Sequence, residues 1–89
     1  METTILNCGD VLDARHVTAR QREWIPALSK AARVAVDTTG LTNVDTAGVQ
    51  LLLAVARQCR DKGLALEVRG KSEALNRTLA ILGLPAWGQ

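Results

Sequence analysis

The residues best suited to chemistry stand together in the run Asp45-Thr46-Ala47-Gly48, directly before a long apolar stretch. Asp45 occupies the position of a helix N-cap, since its carboxylate can accept hydrogen bonds from first-turn amides. Thr46 then takes the first helical position, and we expect its hydroxyl near the surface. A phosphate there would carry roughly −1.5 to −2 charges, which the positive end of the helix would stabilise. Because the same charge would disrupt an apolar or acidic docking surface, Thr46 is chemically suited to be a switch.

A second interpretation of the same four residues is a plain structural cap. Asp-Thr before an apolar helix is a common N-terminal signal in ordinary helices. Gly48 has no Cβ, which lets another backbone segment approach closely. Local chemistry alone leaves the switch and the cap open.

The elements that must position this run are a strand before it and a helix after it. Residues 33–37 alternate and are rich in valine, which is typical of a buried central strand. A loop over residues 38–44 follows at the carboxyl end of that strand, where α/β sheets usually bind ligands and partners. Apolar residues at helical spacing then predict a helix over residues 46–62, which Gly63 ends.

Strands alternate with helices over the rest of the chain, which predicts an α/β domain. Further strands are predicted over residues 3–8 and 64–68, and a short one can begin at residues 11–12. Because a strand–helix–strand unit runs from residue 33 to residue 68, its two strands should be parallel.

Two further helices are predicted. Apolar spacing over residues 17–31 indicates a helix with Trp24 in the core, and Pro26 is expected to kink or divide it. The last helix begins after the cap Ser72, and Gly83 stops it.

Composition favours one small domain without nucleic acid as a partner. The chain has 89 residues, which is room for a single domain. The formal net charge is +2, with no run of Lys and Arg and no aromatic residue interleaved among basic ones. The two aromatic residues are Trp24 and Trp87, and Trp87 can pack on the domain or extend with the tail.

No metal, cofactor or membrane insertion is expected. Cys8 and Cys59 form no CxxC pair and His16 is the single histidine, so the spacing of a metal site is absent. No glycine-rich phosphate loop occurs. The first residues lack the pattern of a signal peptide. The longest apolar run, residues 49–56, is interrupted by Gln50 and is far too short to span a bilayer. A reduced, cytoplasmic protein is therefore expected.

An enzyme is not expected either. His16 could be a base, but no Ser or Cys nucleophile has an accompanying motif. Asp37 and Asp45 could form a carboxylate pair, but Asp37 is better explained as a residue that closes the strand and orders the loop. Cys59 is better explained as a core residue.

The stretch VAVDTTGLTNVDTAGVQLLLAVARQCRDKGLALEV resembles the STAS domain of bacterial anti-sigma-factor antagonists. That family has an apolar strand ending in Asp, a short loop, and Asp-Ser-Ser-Gly or Asp-Thr-x-Gly opening an apolar helix, followed by a Gly and another strand. The resemblance implies one STAS-like α/β domain over residues 1–89. It implies a mixed β-sheet of four to five strands packed with about three to four α-helices.

The same resemblance implies a regulatory protein of signal transduction that switches partners. In the anti-sigma-factor antagonists, the unmodified form binds a kinase-like anti-sigma factor. That kinase phosphorylates the first hydroxyl residue of the motif, and the complex falls apart. The corresponding position is Thr46, while Ala47 replaces the second hydroxyl residue of the usual motif.

Two other branches of the family are also similar to this sequence. The residues from Asp45 to Leu53 and the ending Leu84-Pro85-Ala86 resemble MlaB-like proteins, cytoplasmic subunits that dock on an ABC-transporter ATPase in phospholipid transport. Asp-Thr-Ala-Gly before a leucine-rich helix also resembles the short STAS proteins of chemotaxis-like kinase systems. The expected partner is accordingly an anti-sigma factor or kinase, a chemotaxis-type kinase or an ABC ATPase.

The partner is expected to bind the loop 38–48 and the helix after it. Three consecutive leucines, residues 51–53, cover more of the helix circumference than one core stripe needs. One of them can therefore face a partner beside Thr46. The alternative is that neighbouring elements of the fold cover both sides of the helix. The chain itself is expected to be a monomer or weak dimer. The predicted partner-binding residues are Leu41, Thr42, Asn43, Asp45, Thr46, Ala47, Gly48 and Leu51.

Overall fold

Alternation of strands and helices gives a layered α/β arrangement in the computed structural model, which describes residues 2–88. Within these residues there are five strands and three helices. Their order along the chain is β1 (Thr3–Asn7), β2 (Val11–Leu12), α1 (Val17–Ser29), β3 (Arg33–Asp37), β4 (Asn43–Val44), α2 (Thr46–Lys62), β5 (Ala65–Arg69) and α3 (Glu73–Ile81).

The strands form two sheets, and every strand pairing is parallel. The larger sheet has the order β1-β3-β5, and its register pairs Leu6 with Val36 and Val36 with Val68. The smaller sheet pairs β2 with β4, with Leu12 opposite Val44. The predicted parallel pairing of the strands on either side of α2 is therefore confirmed.

The number of strands and helices agrees with expectation, but the single mixed sheet is corrected to two parallel ones. A crossover that contains a helix joins β1 to β3, and another joins β3 to β5, which makes neighbouring strands parallel. Strand β4, with only two residues, lies inside the segment expected to be a loop. Strands β2 and β4 follow β1 and β3 after short breaks, and they pair with each other beyond the end of the larger sheet.

Helix α1 runs unbroken from Val17 to Ser29, so of the two predicted effects of Pro26, a kink or a division, the division is wrong. Only three helical residues follow Pro26, so the missing amide costs one hydrogen bond in the last turn. The other predicted boundaries hold closely. Helix α2 spans the predicted residues and ends at Gly63, whose φ of 69° is left-handed.

The core lies between the larger sheet and the helices. Leu6, Val34 and Val36 of the sheet are buried together with Trp24 and Leu28 of α1. Helix α2 contributes further buried residues, and each such aliphatic side chain contributes roughly 1.5–3 kcal/mol to folding. The core members from α2 are Val49, Leu51, Leu52, Val55 and Cys59.

The cysteines and the C-terminal tail also belong to this core. Cys8 and Cys59 are buried, and burial raises the pKa of the Cys8 thiol to about 12. Trp87 packs partly buried against the core, and its backbone N–H donates to Asn76 Oδ1 at 2.8 Å. The tail is thus folded back onto the domain as far as residue 88. Across residues 2–88, none of the helices combines the length and apolarity needed to cross a bilayer.

Candidate functional site

Helix α2 begins as the sequence predicts, with Asp45 as its N-cap. The backbone of Asp45 is extended (φ −115°, ψ −175°), and its Oδ1 accepts a hydrogen bond from the Gly48 amide at 3.0 Å. Thr46 is the first helical residue and its side chain is exposed. The first-turn amides of a helix have no intrahelical acceptor, so Thr46 lies where an added anion would be favoured.

Gly48 fixes the distance between α2 and strand β2. A Cβ built on Gly48 would lie 2.1 Å from the backbone carbonyl oxygen of Leu12, which is an impossible contact. The glycine therefore lets α2 pack directly on the backbone of β2. Gly48 is buried, so among the predicted partner-binding residues it positions the surface and does not form it.

The second carboxylate oxygen of Asp45 reaches a segment that sequence reasoning missed. Asp45 Oδ2 accepts a hydrogen bond from the Ala14 amide at 2.9 Å, across 31 positions of sequence. The cause is the parallel register of the small sheet: Leu12 lies opposite Val44, so the residues that follow them emerge side by side. No local sequence signal could indicate this contact.

Residues 13–16 form a tight turn beside Asp45. Asp13 Oδ1 accepts from the Arg15 amide at 3.1 Å and lies 2.6 Å from His16 Nδ1. The hydrogen bond to His16 is the main cause that lowers the pKa of Asp13 below its usual value. Arg15 and His16 are both exposed, and His16 caps α1 without a side-chain hydrogen bond to that helix.

The loop after β3 is ordered by its own side chains. Asp37 Oδ1 accepts from the Thr39 amide at 2.9 Å, and that bond is the main cause that lowers the pKa of Asp37. Thr38 is buried and its hydroxyl donates to the Arg69 carbonyl at 3.0 Å. Asp37 therefore has the predicted role of closing the strand and ordering the loop.

The predicted loop residues divide between core and surface. Thr42 and Asn43 are exposed, and the Thr42 hydroxyl donates to the Asp10 carbonyl at 3.2 Å. Leu41 is only 3% exposed, and Ser72 Oγ donates to its carbonyl oxygen at 2.7 Å. Leu41 is therefore corrected from a partner contact to a core residue that anchors the loop to the start of α3.

Leu51 is corrected in the same way, because it is only 8% exposed while Leu53 is 37% exposed. Two helical positions separate the leucines by about 200°, so packing on one side of α2 leaves the other leucine outside. Leu53 follows Thr46 by seven positions and lies on the same helix face. With Gln50, Ala54 and Arg57 it lines a shallow groove of about 230 Å³.

We call the exposed residues immediately before the helix start and along the Thr46 face of α2 the Thr46 surface. It has a polar part at the β4 end, a hydroxyl at the helix start, and a mixed apolar and basic part along α2. Ala47 is half-buried. Among the described residues, no three His, Cys, Asp or Glu side chains lie together as the ligands of a metal ion would. The members of the Thr46 surface are Thr42, Asn43, Thr46, Gln50, Leu53, Ala54 and Arg57.

Fold and site together define a small α/β domain that presents a threonine at a carboxylate-capped helix start. A family model described as "Mlab, STAS domain" matches residues 1–86 of the chain. The chain therefore belongs to this STAS-domain family, and the predicted membership is confirmed. No curated protein matches the chain. Membership in the family supports a regulatory, protein-interaction role, because STAS domains generally bind protein partners.

Proposed function

We propose that this chain acts as a binding module and not as an enzyme: a partner protein docks on the Thr46 surface, and phosphorylation of Thr46 switches the docking. One observation carries the proposal. Thr46 is an exposed hydroxyl at the first residue of α2, in the position of the motif that the family resemblance assigns to a phosphoacceptor.

The unmodified surface suits a partner of mixed character. Thr46 contributes a small uncharged hydroxyl, Leu53 an apolar contact, and Gln50 and Arg57 polar contacts along the same helix face. An interface of this kind has a central apolar contact with a polar rim. The partner proposed is a protein kinase, which brings ATP to the hydroxyl it contacts and transfers the γ-phosphoryl group to it.

Phosphorylation would change this surface without unfolding the domain. The hydroxyl oxygen of Thr46 would attack the γ-phosphorus of ATP, ADP would leave, and the hydroxyl proton would pass to a base of the kinase. The product carries roughly −1.5 to −2 charges. The start of α2 tolerates that charge through its free amides and dipole, whereas a docked partner would have to bury it.

The experiment compares substitutions at Thr46 with a substitution that adds the same charge at Ala32. Ala32 is exposed directly before β3, at the end of that strand opposite to the loop that leads to Thr46, so Ala32→Glu adds the charge outside the Thr46 surface. The partner is captured on the immobilised chain, identified and purified. Its Kd is then measured by calorimetry for the wild type, Thr46→Ala, Thr46→Glu and Ala32→Glu.

We expect Thr46→Glu to weaken binding about tenfold or more, with Thr46→Ala and Ala32→Glu close to the wild type. Equal affinity of the Thr46→Ala and Thr46→Glu variants would show that charge at this position does not control docking. An equal loss in Ala32→Glu would assign the effect to net charge.

A second candidate function is constitutive docking on an ABC-transporter ATPase. The observation that favours it is the description of the matching family, which names Mlab. This candidate uses the same surface but needs no phosphate. It predicts that an ATPase subunit copurifies with the chain and that phosphatase or ATP treatment of the complex leaves its Kd unchanged.

A further inference from the structure

The two carboxylate oxygens of Asp45 accept hydrogen bonds from two different segments of the chain. Oδ1 accepts from the Gly48 amide inside α2 at 3.0 Å, and Oδ2 accepts from the Ala14 amide in the turn of residues 13–16 at 2.9 Å. A helix cap needs only the first of these bonds. The second bond is unexplained by capping.

Two other contacts bring the same segments together. The Asp45 amide donates to the Leu12 carbonyl at 3.4 Å, which continues the β2–β4 pairing. The missing side chain of Gly48 leaves α2 in direct contact with that same carbonyl. The turn of residues 13–16, which follows β2, therefore lies directly beside Asp45, the residue that precedes Thr46.

This turn carries groups that a partner can recognise. Arg15 and His16 are exposed, and within residues 2–88 no carboxylate forms an ion pair with Arg15. Asp13 is engaged by His16 and by the Arg15 amide, so it holds the turn in shape. The side chains available for contact are thus a cation and an imidazole.

We propose that Asp45 is a positioning residue that joins residues 13–16 to the Thr46 surface, so that the recognition surface has two halves held by one carboxylate. Residues 13–16 would then be a second contact segment for the partner. This inference rests on the proposed function only for the identity of the partner that occupies the surface. The occupant is the partner that contacts Thr46, with acidic side chains opposite Arg15 and His16.

The arrangement also makes the second half sensitive to charge at Thr46. A negative group on Thr46 would be carried by the residue directly after Asp45, and like charges repel. The Gly48 bond is made within the first turn of α2, whereas the Ala14 bond joins two segments that are 31 positions apart in the sequence. Charge on Thr46 is therefore expected to loosen the Ala14 bond and to spare the cap.

The test needs no partner and uses amide hydrogen exchange of the ¹⁵N-labelled chain. In Asp45→Asn, one acceptor oxygen remains for two amides, and Asn caps helices as well as Asp does. The matched control is Asp37→Asn, which removes the same charge from a carboxylate that is hydrogen-bonded locally, by Thr39 two residues further on.

We expect the Ala14 amide to exchange about tenfold faster in Asp45→Asn, with the Gly48 amide changed little and both amides unchanged in Asp37→Asn. In Thr46→Glu the Ala14 amide should again exchange faster, whereas Gln50→Glu, one turn further along the same face, should leave it at the wild-type rate. If Ala14 keeps its wild-type rate in Asp45→Asn, the carboxylate does not hold the turn and the proposal is overturned.

Unchanged Ala14 exchange in Thr46→Glu would refute the sensitivity to charge. The Ala14 exchange rates in Asp45→Asn and Thr46→Glu are both measured on the isolated chain. They therefore do not depend on whether a partner binds the Thr46 variants with different affinities. With the purified partner, Arg15→Glu should weaken binding about tenfold, and the matched Arg33→Glu, on strand β3, should not. Equal Kd values for both arginine variants would remove residues 13–16 from the interface.

Discussion

Helices α2 and α3 both begin at a side-chain cap, and the two starts differ in what surrounds that cap. Ser72 of α3 is 2% exposed; its hydroxyl accepts from the Leu75 amide at 3.1 Å and donates to the Leu41 carbonyl. Asp45 of α2 is half-buried, and the residue after it is an exposed threonine. The start of α3 is thus buried in the core, while the start of α2 exposes the hydroxyl of Thr46 to solvent.

A cap motif alone does not mark a functional site. Both motifs follow the same rule of local hydrogen bonding. Each cap also bonds to a distant segment, so what separates them is the burial of the residues around each cap. Substitutions at the α3 start should therefore change stability, and substitutions at Thr46 should change binding.

The largest expected effect is that of Gly48→Ala, which breaks the close packing of the α2 start. The added Cβ would meet the Leu12 carbonyl, so α2 or β2 must move, and we expect a loss of about 3 kcal/mol in the free energy of unfolding. Urea denaturation measures it.

The matched control is Gly63→Ala at the other end of α2. An added Cβ there meets nothing within 4 Å, so only the left-handed backbone is strained, at a cost of about 1 kcal/mol. Similar losses in the two variants would mean that the contact between Gly48 and β2 does not set the position of the helix.

A smaller effect separates the two caps directly. Ser72→Ala removes a cap and leaves the buried Leu41 carbonyl without its donor, so we expect a loss of about 2 kcal/mol. Thr46→Ala should change the free energy of unfolding by no more than about 0.5 kcal/mol, as at ordinary surface positions. A Thr46→Ala loss as large as that of Ser72→Ala would make Thr46 a structural residue.

The smallest expected effect is on acid stability. The pKa values of Asp13 and Asp37 are lowered in the folded chain, each mainly by a hydrogen bond. A lowered folded pKa contributes stability above the unfolded pKa, and this stability is lost as the pH falls through the folded value. In the double variant Asp13→Asn/Asp37→Asn, the urea midpoint should therefore fall less steeply than in the wild type as the pH is lowered from roughly pH 5 to pH 2.

The control for acid stability is Asp61→Asn, at the exposed end of α2. It should leave the slope of the urea midpoint against pH as in the wild type. A double variant with the wild-type slope would show that the turn around Asp13 and the loop after Asp37 are not stabilised by these carboxylates.

Local signals were enough to predict the parts of this molecule that obey local rules. The cap at Asp45, the left-handed end at Gly63 and the cap at Ser72 depend on residues within one turn of a helix. The strand at Arg33–Asp37 follows from its own side-chain pattern. These features were therefore readable from the sequence, as was the exposure of Thr46.

The parts that the sequence could not predict depend on contacts between distant segments. The hydrogen bond from Ala14 to Asp45 and the packing of Gly48 on Leu12 follow from the register of two strands of two residues each. Strands that short carry almost no pattern. The choice between Leu51 and Leu53 as the exposed leucine likewise depends on which side of α2 its neighbours cover.

The most direct measurement of the central claim is the affinity of the phosphorylated chain itself. The purified partner and ATP are incubated with the wild type and with Thr46→Ala, the phosphate is located by mass spectrometry, and the Kd of the modified chain is compared with that of the unmodified chain. We predict one phosphate, on Thr46, and a Kd raised about tenfold or more. A chain that carries phosphate on Thr46 and binds its partner as tightly as before would contradict the account.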